Sequence, residues 1–269
     1  MSLRNFVQRG AGRIAREFRR ASGGPFPSRH DRRLIVHCAH HRVGSAWFTR
    51  VLRTVAEEYG LHFQNCTQAD LRPDTDVFLQ DHSLVDLTRL PRHRGSHMIR
   101  DPRDVIVSRY FFHLWSVEAW VHVPDAKYGG RTYQEYLNSL DQEQGILAEI
   151  DRFADYGLAH MRDWNYANPD FLELRYEAII KDEEAVFRRL FGHYGFRPEA
   201  VDRSVEIARQ FSFERQTKRK VGEVDAKSHL RSGRPGEWRD VLSERQKVRC
   251  KELFGDALIK LGYETGYDW

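Results

Sequence analysis

Cysteine is scarce. Cys38, Cys66 and Cys250 are the only three in 269 residues, and they lie far apart. An odd, scattered set builds no disulfide framework and no Cys-x-x-Cys zinc pair, so a reducing, cytoplasmic setting is expected. Long hydrophobic runs are missing as well. No stretch approaches the roughly 20 apolar residues needed to span a bilayer. No apolar core of the secretory-leader type follows the N-terminus, so no such leader is expected. There is no internal repeat. With 41% apolar and 30% charged residues, the chain is neither a disordered tail nor a collagen-like fibre nor a disulfide mini-scaffold. Its length allows one or two domains with a proper core.

The charge is unevenly placed. Residues 1–33 hold Arg4, Arg9, Arg13, Arg16, Arg19, Arg20, Arg29, Arg32 and Arg33 against only Glu17 and Asp31, a net +7. The whole chain is +4, so the remaining body is mildly acidic at −3. In the arm, Leu3, Phe6, Val7, Ile14 and Phe18 recur at helical steps and predict a thin amphipathic helix. Ser22-Gly23-Gly24-Pro25 ends it, and Pro27 keeps the link extended. A solvated helix docked loosely on the body, or a frayed end, is the favoured reading. Contact with an anionic membrane surface or with a partner is the alternative.

The body, 34–269, reads as one α/β domain with a central parallel sheet flanked by helices. Leu34–Cys38, Val77–Leu79, Ser96–Ile99 and Phe171–Leu174 are strand candidates. Helical patterns run from Ala46 to Tyr59, closed by Gly60, and onward from Pro102. Others cover 132–167, 182–194, 198–208 and 243–261. Alternating strands and helices mean a parallel sheet covered by helices.

Three loops carry chemistry. His40-His41-Arg42-Val43-Gly44-Ser45-Ala46-Trp47 joins a strand to a helix. That geometry turns backbone amides and a positive helix end toward an anion. An ordinary phosphate loop, G-x-x-x-x-G-K-(S/T), would need a second Gly and a Lys before Ser45, so an ATPase or kinase is disfavoured. Arg100-Asp101-Pro102-Arg103-Asp104 leaves another strand, and Ser108-Arg109-Tyr110 follow on the helix. Arg100 offers bidentate phosphate contact and Ser108 a hydroxyl. Arg231-Ser232-Gly233-Arg234-Pro235-Gly236-Glu237-Trp238 is a flexible cationic loop that can wrap a phosphate. His37, Cys38, His40 and His41 are metal-ligand types, but strand alternation separates the first pair and the spacing fits no zinc pattern. No metal is expected, and His40 and His41 are read as pocket-lining.

In this order, the three loops resemble the sulfotransferases that use 3′-phosphoadenosine 5′-phosphosulfate (PAPS). That family's blocks read P-K-S-G-T-T-W, R-(D/N)-x-(K/R)-D-x-x-x-S-x-Y and R-K-G-x-x-G-(D/E)-W. The second block matches here at every stated position, and the third has Ser232 for Lys. The first keeps Gly44 and Trp47, with Arg42 for Lys, Ser45 for Thr, Ala46 for the second Thr and His41 for Pro. The resemblance spans about residues 34–261 and implies a P-loop-like nucleotide-binding architecture.

The resemblance implies the roles. Arg42, Val43, Gly44, Ser45, Ala46 and Trp47 hold the 5′-phosphosulfate, with Arg42 neutralising the leaving oxygen. Arg100, Ser108 and Arg231 grip the 3′-phosphate, Gly233 admits the backbone, and Ser232 weakens the grip. Trp47, Phe213 and Tyr176 border the adenine. Core packing is the competing reading for these three aromatics. His82, in Gln80-Asp81-His82, takes the place of the family's K-T-H and is the general base. Asp81 is an orienting partner or a rival base. Phe111, Phe112, His113, Trp115, Trp120, His122 and Tyr128, ending at Gly129-Gly130, form an aromatic stretch suited to a lid over the acceptor.

The expected function is sulfuryl transfer to a hydroxyl or amine of a small-molecule, carbohydrate or lipid acceptor, with no metal and no nucleic-acid partner. The arm could add peripheral membrane contact, and oligomeric state is unreadable. Two rivals stay open: a nucleotide kinase or other phosphoryl transferase, and a non-catalytic basic-arm adaptor for membrane or nucleic acid.

Overall fold

The computed structural model describes residues 24–269, so the helix expected within residues 3–18 lies outside the described residues. Strand β1 (Leu34–Cys38) leads through a loop into helix α1 (Ser45–Tyr59). The short β2 (Phe63–Asn65), β3 (Val77–Gln80) and β4 (His93–Ile99) follow. Next come α2 (Pro102–His113), α3 (Tyr133–Asn138), α4 (Gln142–Tyr156) and α5 (Leu158–Asp163). After β5 (Phe171–Arg175) stand α6 (Tyr176–Lys181), α7 (Glu183–His193), α8 (Pro198–Arg209) and α9 (Phe213–Thr217). Two helices close the chain, α10 (Trp238–Val241) and α11 (Glu244–Lys260). No helix among the described residues is long and apolar enough to cross a membrane.

The described chain divides into two compact units whose segments interleave. The first comprises 24–40, 44–99 and 165–216. It contains the sheet, which is five-stranded, ordered β2-β3-β1-β4-β5 and parallel at every pairing. Parallel central strands are covered on both faces and read as continuous apolar runs. Thus every residue of β1 is buried. Its one imidazole, His37, stacks on Phe48 at 4.5 Å and is hydrogen-bonded to Ser96 Oγ, which meets the Tyr194 hydroxyl. Helix α1 packs against β2, β3 and α8. Its buried stripe is Trp47, Phe48, Val51, Leu52, Val55, Ala56 and Tyr59, and Gly60 ends it in the left-handed conformation. Residues 24–33 are anchored within the same unit. Phe26 is buried edge-on to Phe196, the Arg197 amide donates to the Pro25 carbonyl, and Arg32 pairs with Asp76.

The second unit comprises 41–43, 100–164 and 217–269. Helix α4 packs against α2, α3 and α11, and α10 packs against α2. Val121, Tyr128, Tyr133 and Leu137 form a buried cluster beside Trp120.

Four expectations needed correction. The helical stretch 132–167 is three helices. Asp141 caps a new one by accepting from the Gln144 amide, and Gly157 separates the second from the third. The stretch 182–194 is preceded by a separate turn of helix, because Asp182 leaves helical geometry to cap α7. Strand β2 was not anticipated; at three residues it is too short for a periodic signal. The last helix is kinked at Phe254, where φ is −149°.

Gly95 on β4 lies opposite Phe171 on β5, and a Cβ there would come 2.2 Å from the Phe171 ring. Gly95→Ala is expected to lower stability by about 1–3 kcal/mol through overpacking. Adding Phe171→Leu should recover part of the loss in thermal denaturation. An unchanged melting temperature for the single variant would refute this account of the β4–β5 contact.

Candidate functional site

The first unit supplies an anion cradle. Gly44 precedes α1 with φ +115° and ψ 15°, a conformation that disfavours any side chain. A Cβ at Gly44 would also come 3.0 Å from Met98 Cε and 3.6 Å from the Tyr176 ring. No side chain caps the N-terminus of α1, and no acid stands in its first turn. The amides of that turn therefore keep the positive end of a 15-residue helix available to an anion. Trp47 is buried, edge-on to Phe48 and Phe187. Its indole nitrogen is buried without a hydrogen-bond partner. Tyr176 and Phe213 are also buried, at the starts of α6 and α9.

His82 is exposed just past the C-terminal end of β3, where open parallel sheets bind ligands. Its turn is built by Gln80, whose buried side-chain carbonyl accepts the amides of His82 at 2.8 Å and Leu84 at 2.9 Å. Asp81 accepts from Asn65 Nδ2 through one oxygen, and its other oxygen is buried without a partner. His40 is buried and hydrogen-bonded to His97, which donates onward to Glu173 at 2.7 Å. Burial pushes the His97 imidazole down to about 3, so it is neutral and gives Glu173 its Nδ1 proton.

The second unit gathers the cations. Arg42 sits at φ 67° and donates from Nε to Ser108 Oγ at 3.0 Å. Its other nitrogens meet the ring and carbonyl of His229, and its plane lies 4.4 Å from the Phe112 centroid. Arg100 is buried and reaches the Arg42 carbonyl at 3.4 Å. Arg231 is buried, stacked over Phe111 and paired with Glu237. Glu237 also accepts from Ser232 Oγ at 2.7 Å. Thus Arg42, Ser108 and Arg100 meet through side-chain and backbone contacts, and Arg231 and Ser232 share one carboxylate.

The motif's acids turn out to be the joinery. Asp101 caps α2 and holds the buried Arg103, which also pairs with Glu264 and lies between the Trp238 and Trp269 rings. Asp104 accepts the amides of Gly236 at 2.6 Å and Trp238 at 3.0 Å. Burial pushes its carboxyl up, while Arg100 and the two amides pull the other way. Arg219 was not anticipated. It donates to the carbonyls of Glu223, Leu230 and Arg231 at 2.5–2.6 Å, bracing the loop from behind. Its only sequence signal was a charge before a Gly-rich stretch.

A second unanticipated constellation lies behind Arg42. His41 is hydrogen-bonded to Glu118 at 3.2 Å and stacked on His113 at 5.7 Å. His113 donates to Glu149, which also accepts from Arg109 and the Tyr133 hydroxyl. Burial pushes His41 down to about 4, against the pull of Glu118. Burial alone would raise Glu149, but His113 and Arg109 outweigh it and hold it well below the carboxylate range. Within the aromatic stretch, Phe112, His113 and Tyr128 are buried, Phe111, Trp115 and Trp120 are half-buried and His122 is exposed.

A parallel sheet flanked by helices, with a glycine-led helix after its first strand, defines an α/β protein. The family model described as "Sulfotransferase domain" matches residues 79–262, and the chain belongs to that family. Sulfotransferase 2A1 of Macaca fascicularis is 26% identical over 183 residues, covering 64% of this chain and 59% of that protein. The chain thus spans less than two thirds of that relative's length. Mouse sulfotransferase SULT7A1 complexed with PAP superposes with a TM-score of 0.57 at 15% identity, covering 84% of each chain. Retinol dehydratase in complex with androsterone and the inactive cofactor PAP gives 0.52 at 16% identity, over 83% of this chain and 80% of that one. The fold is theirs.

Asp104→Ala removes a buried carboxyl acceptor from two backbone donors. It should cost about 2–4 kcal/mol in urea unfolding and expose the 219–236 segment to limited proteolysis. Wild-type protease resistance in a folded variant would show that the loop is held by other contacts.

Proposed function

We propose that this protein transfers the sulfuryl group of PAPS to a hydroxyl or amine of a small-molecule acceptor, in a catalytic domain of 34–269 preceded by the basic arm. One observation carries the reading: the uncapped N-terminus of α1, opened by left-handed Gly44, on a chain of the sulfotransferase family. The PAP complexes of two proteins of this fold support the donor, and androsterone in one of them supports a small-molecule acceptor. When bound, PAPS supplies an activated sulfuryl group: the acceptor oxygen attacks sulfur in line, the S–O bond to the 5′-phosphate breaks, and its electron pair stays on the phosphate oxygen.

The chain's own groups do the rest. His82 takes the acceptor's proton as the new O–S bond forms. Arg42, with the amides of Val43, Gly44, Ser45 and Ala46 and the Ser45 hydroxyl, receives the charge that develops on the 5′-phosphate. Arg100, Ser108 and Arg231 take the 3′-phosphate, with Ser232 and Gly233 in the same loop. Trp47, Tyr176 and Phe213 border the adenine. Binding then trades contacts. Ser108 exchanges Arg42 for a phosphate oxygen, and Arg231 shares its charge between Glu237 and the ligand. Magnesium is not needed for the transfer, since guanidinium groups meet the phosphate charge.

His82→Ala is expected to abolish turnover while leaving the affinity for 3′,5′-phosphoadenosine within about twofold. Unchanged turnover would remove His82 from the chemistry. Arg100→Ala should weaken binding of the same nucleotide by about 2–3 kcal/mol in calorimetry, through loss of a buried charge-assisted contact. Undiminished affinity would exclude Arg100 from the 3′-phosphate site. Tighter binding of ATP with Mg²⁺ than of 3′,5′-phosphoadenosine would favour a phosphoryl transferase instead.

A further inference from the structure

The constellation of His41, His113 and Glu118 has the makings of a cation site. One ring nitrogen from each histidine and one oxygen of Glu118 lie within 4.8 Å of one another. They come from three places: the loop before Arg42, the last residue of α2, and the segment after it. Three independent details prepare these side chains as ligands. His113 is fully buried, and its Nδ1 proton is given to Glu149 at 2.8 Å. In the neutral ring that a cation would select, with Nδ1–H toward Glu149, the other nitrogen, Nε2, carries the lone pair, and that atom is buried without a hydrogen-bond partner. Glu118 is oriented through its second oxygen by the Trp120 indole at 2.8 Å, which leaves Oε1 to His41.

A carboxylate behind a histidine is the usual outer support of a metal-bound imidazole, because it fixes the tautomer and the ring. Glu149 is suited to that role. Its charge is already met by Arg109 and the Tyr133 hydroxyl, so it stays an acceptor. An orphaned buried nitrogen is costly if nothing meets it. A cation would meet it.

We propose that His41, His113 and Glu118 bind one divalent transition ion of the zinc type, the histidines through Nε2 and Glu118 through Oε1. Two imidazoles with one carboxylate suit zinc or cobalt and not magnesium or calcium, which take oxygen ligands. Coordination replaces the His41–Glu118 hydrogen bond, and the His41 proton then resides on Nδ1. Three protein ligands leave a fourth position open to water. The ion ties the loop before Arg42 to the end of α2 and to the Ser116–His122 segment. This departs from the sequence expectation of no metal, which rested on strand alternation and spacing. His113 and Glu118 lie five residues apart in an aromatic stretch, and their partner His41 lies over 70 residues upstream. The proposal does not depend on the transfer reaction.

Cobalt(II) is the probe. Full-length protein is stripped with a chelator, dialysed and titrated with Co²⁺ while visible absorption is recorded. One equivalent should bind with intense ligand-field bands of low coordination number, and one equivalent of Zn²⁺ should displace it. Glu118→Gln and His41→Gln should each weaken Co²⁺ binding at least about tenfold, with wild-type far-ultraviolet circular dichroism. His62→Gln removes an exposed histidine beside Asp74 and should leave binding unchanged. Absence of the bands in wild type overturns the proposal, as does their survival in both folded ligand variants. Equal loss in His62→Gln would do so too, by assigning the uptake to surface histidines.

Discussion

A single buried carboxylate holds the cationic loops of the second unit together. Asp104 stands in the first turn of α2 and takes the amides of both Gly236 and Trp238. Through Trp238 that tie reaches Arg103, whose guanidinium lies 3.7 Å from the indole centroid, and through Arg103 it reaches Asp101 and Glu264. Residues 231–236 have no helix or strand of their own. Such a loop holds its shape only where its backbone groups find fixed partners. Asp104 supplies them on one side and Arg219 on the other. Arg231 can thus be a placed charge on an irregular segment.

Three buried arginines of the second unit each face a carboxylate. Arg103 has Asp101 and Glu264, Arg109 has Glu149, and Arg231 has Glu237. Taking two ions from water costs several kcal/mol each before their attraction returns it, so such pairs are weak arguments for stability. They are better arguments for position. A guanidinium held in a bidentate or stacked geometry has few rotamers left, and a ligand that meets it finds it already oriented. Burial lowers the Arg231 guanidinium and Glu237 counters the effect, the signature of a cation kept charged where water is scarce.

The sheet was legible because parallel strands are buried along their whole length. Leu34-Ile35-Val36-His37-Cys38 reads as apolar and is buried throughout. Gly44 and Gly60 were legible because each sits in a backbone conformation that favours glycine. The three loops were legible as short blocks of fixed residue types. What sequence did not disclose is partnership at a distance. Asp104 reads as one motif letter and Gly236 as another, and nothing in their spacing says that one holds the other. His41 and Glu118 are 77 positions apart, and His113 and Glu149 are 36 apart. Histidine and glutamate are common enough that only coordinates bring such groups together. Breaks in helices were missed for a related reason: Asp141 and Asp182 act through a local cap that competes with a continuing apolar pattern.

Ser232 shows what the departure from the family pattern does. The pattern places a lysine there, beside the arginine at 231. A second cation beside Arg231 would leave Glu237 facing two positive charges in a buried loop. With serine, Glu237 takes one cation and one neutral donor, and the carboxylate is satisfied from both. The loop is then nearly neutral without a ligand, and its self-repulsion is low. In the proposed role the cost falls on the bound state, where one charge fewer would meet the phosphate. A site with fewer cations must rely on how firmly the remaining ones are held. In this chain Arg231 is gripped by Glu237, stacked on Phe111 and carried on a loop fastened by Asp104, so loss of charge is offset by loss of freedom.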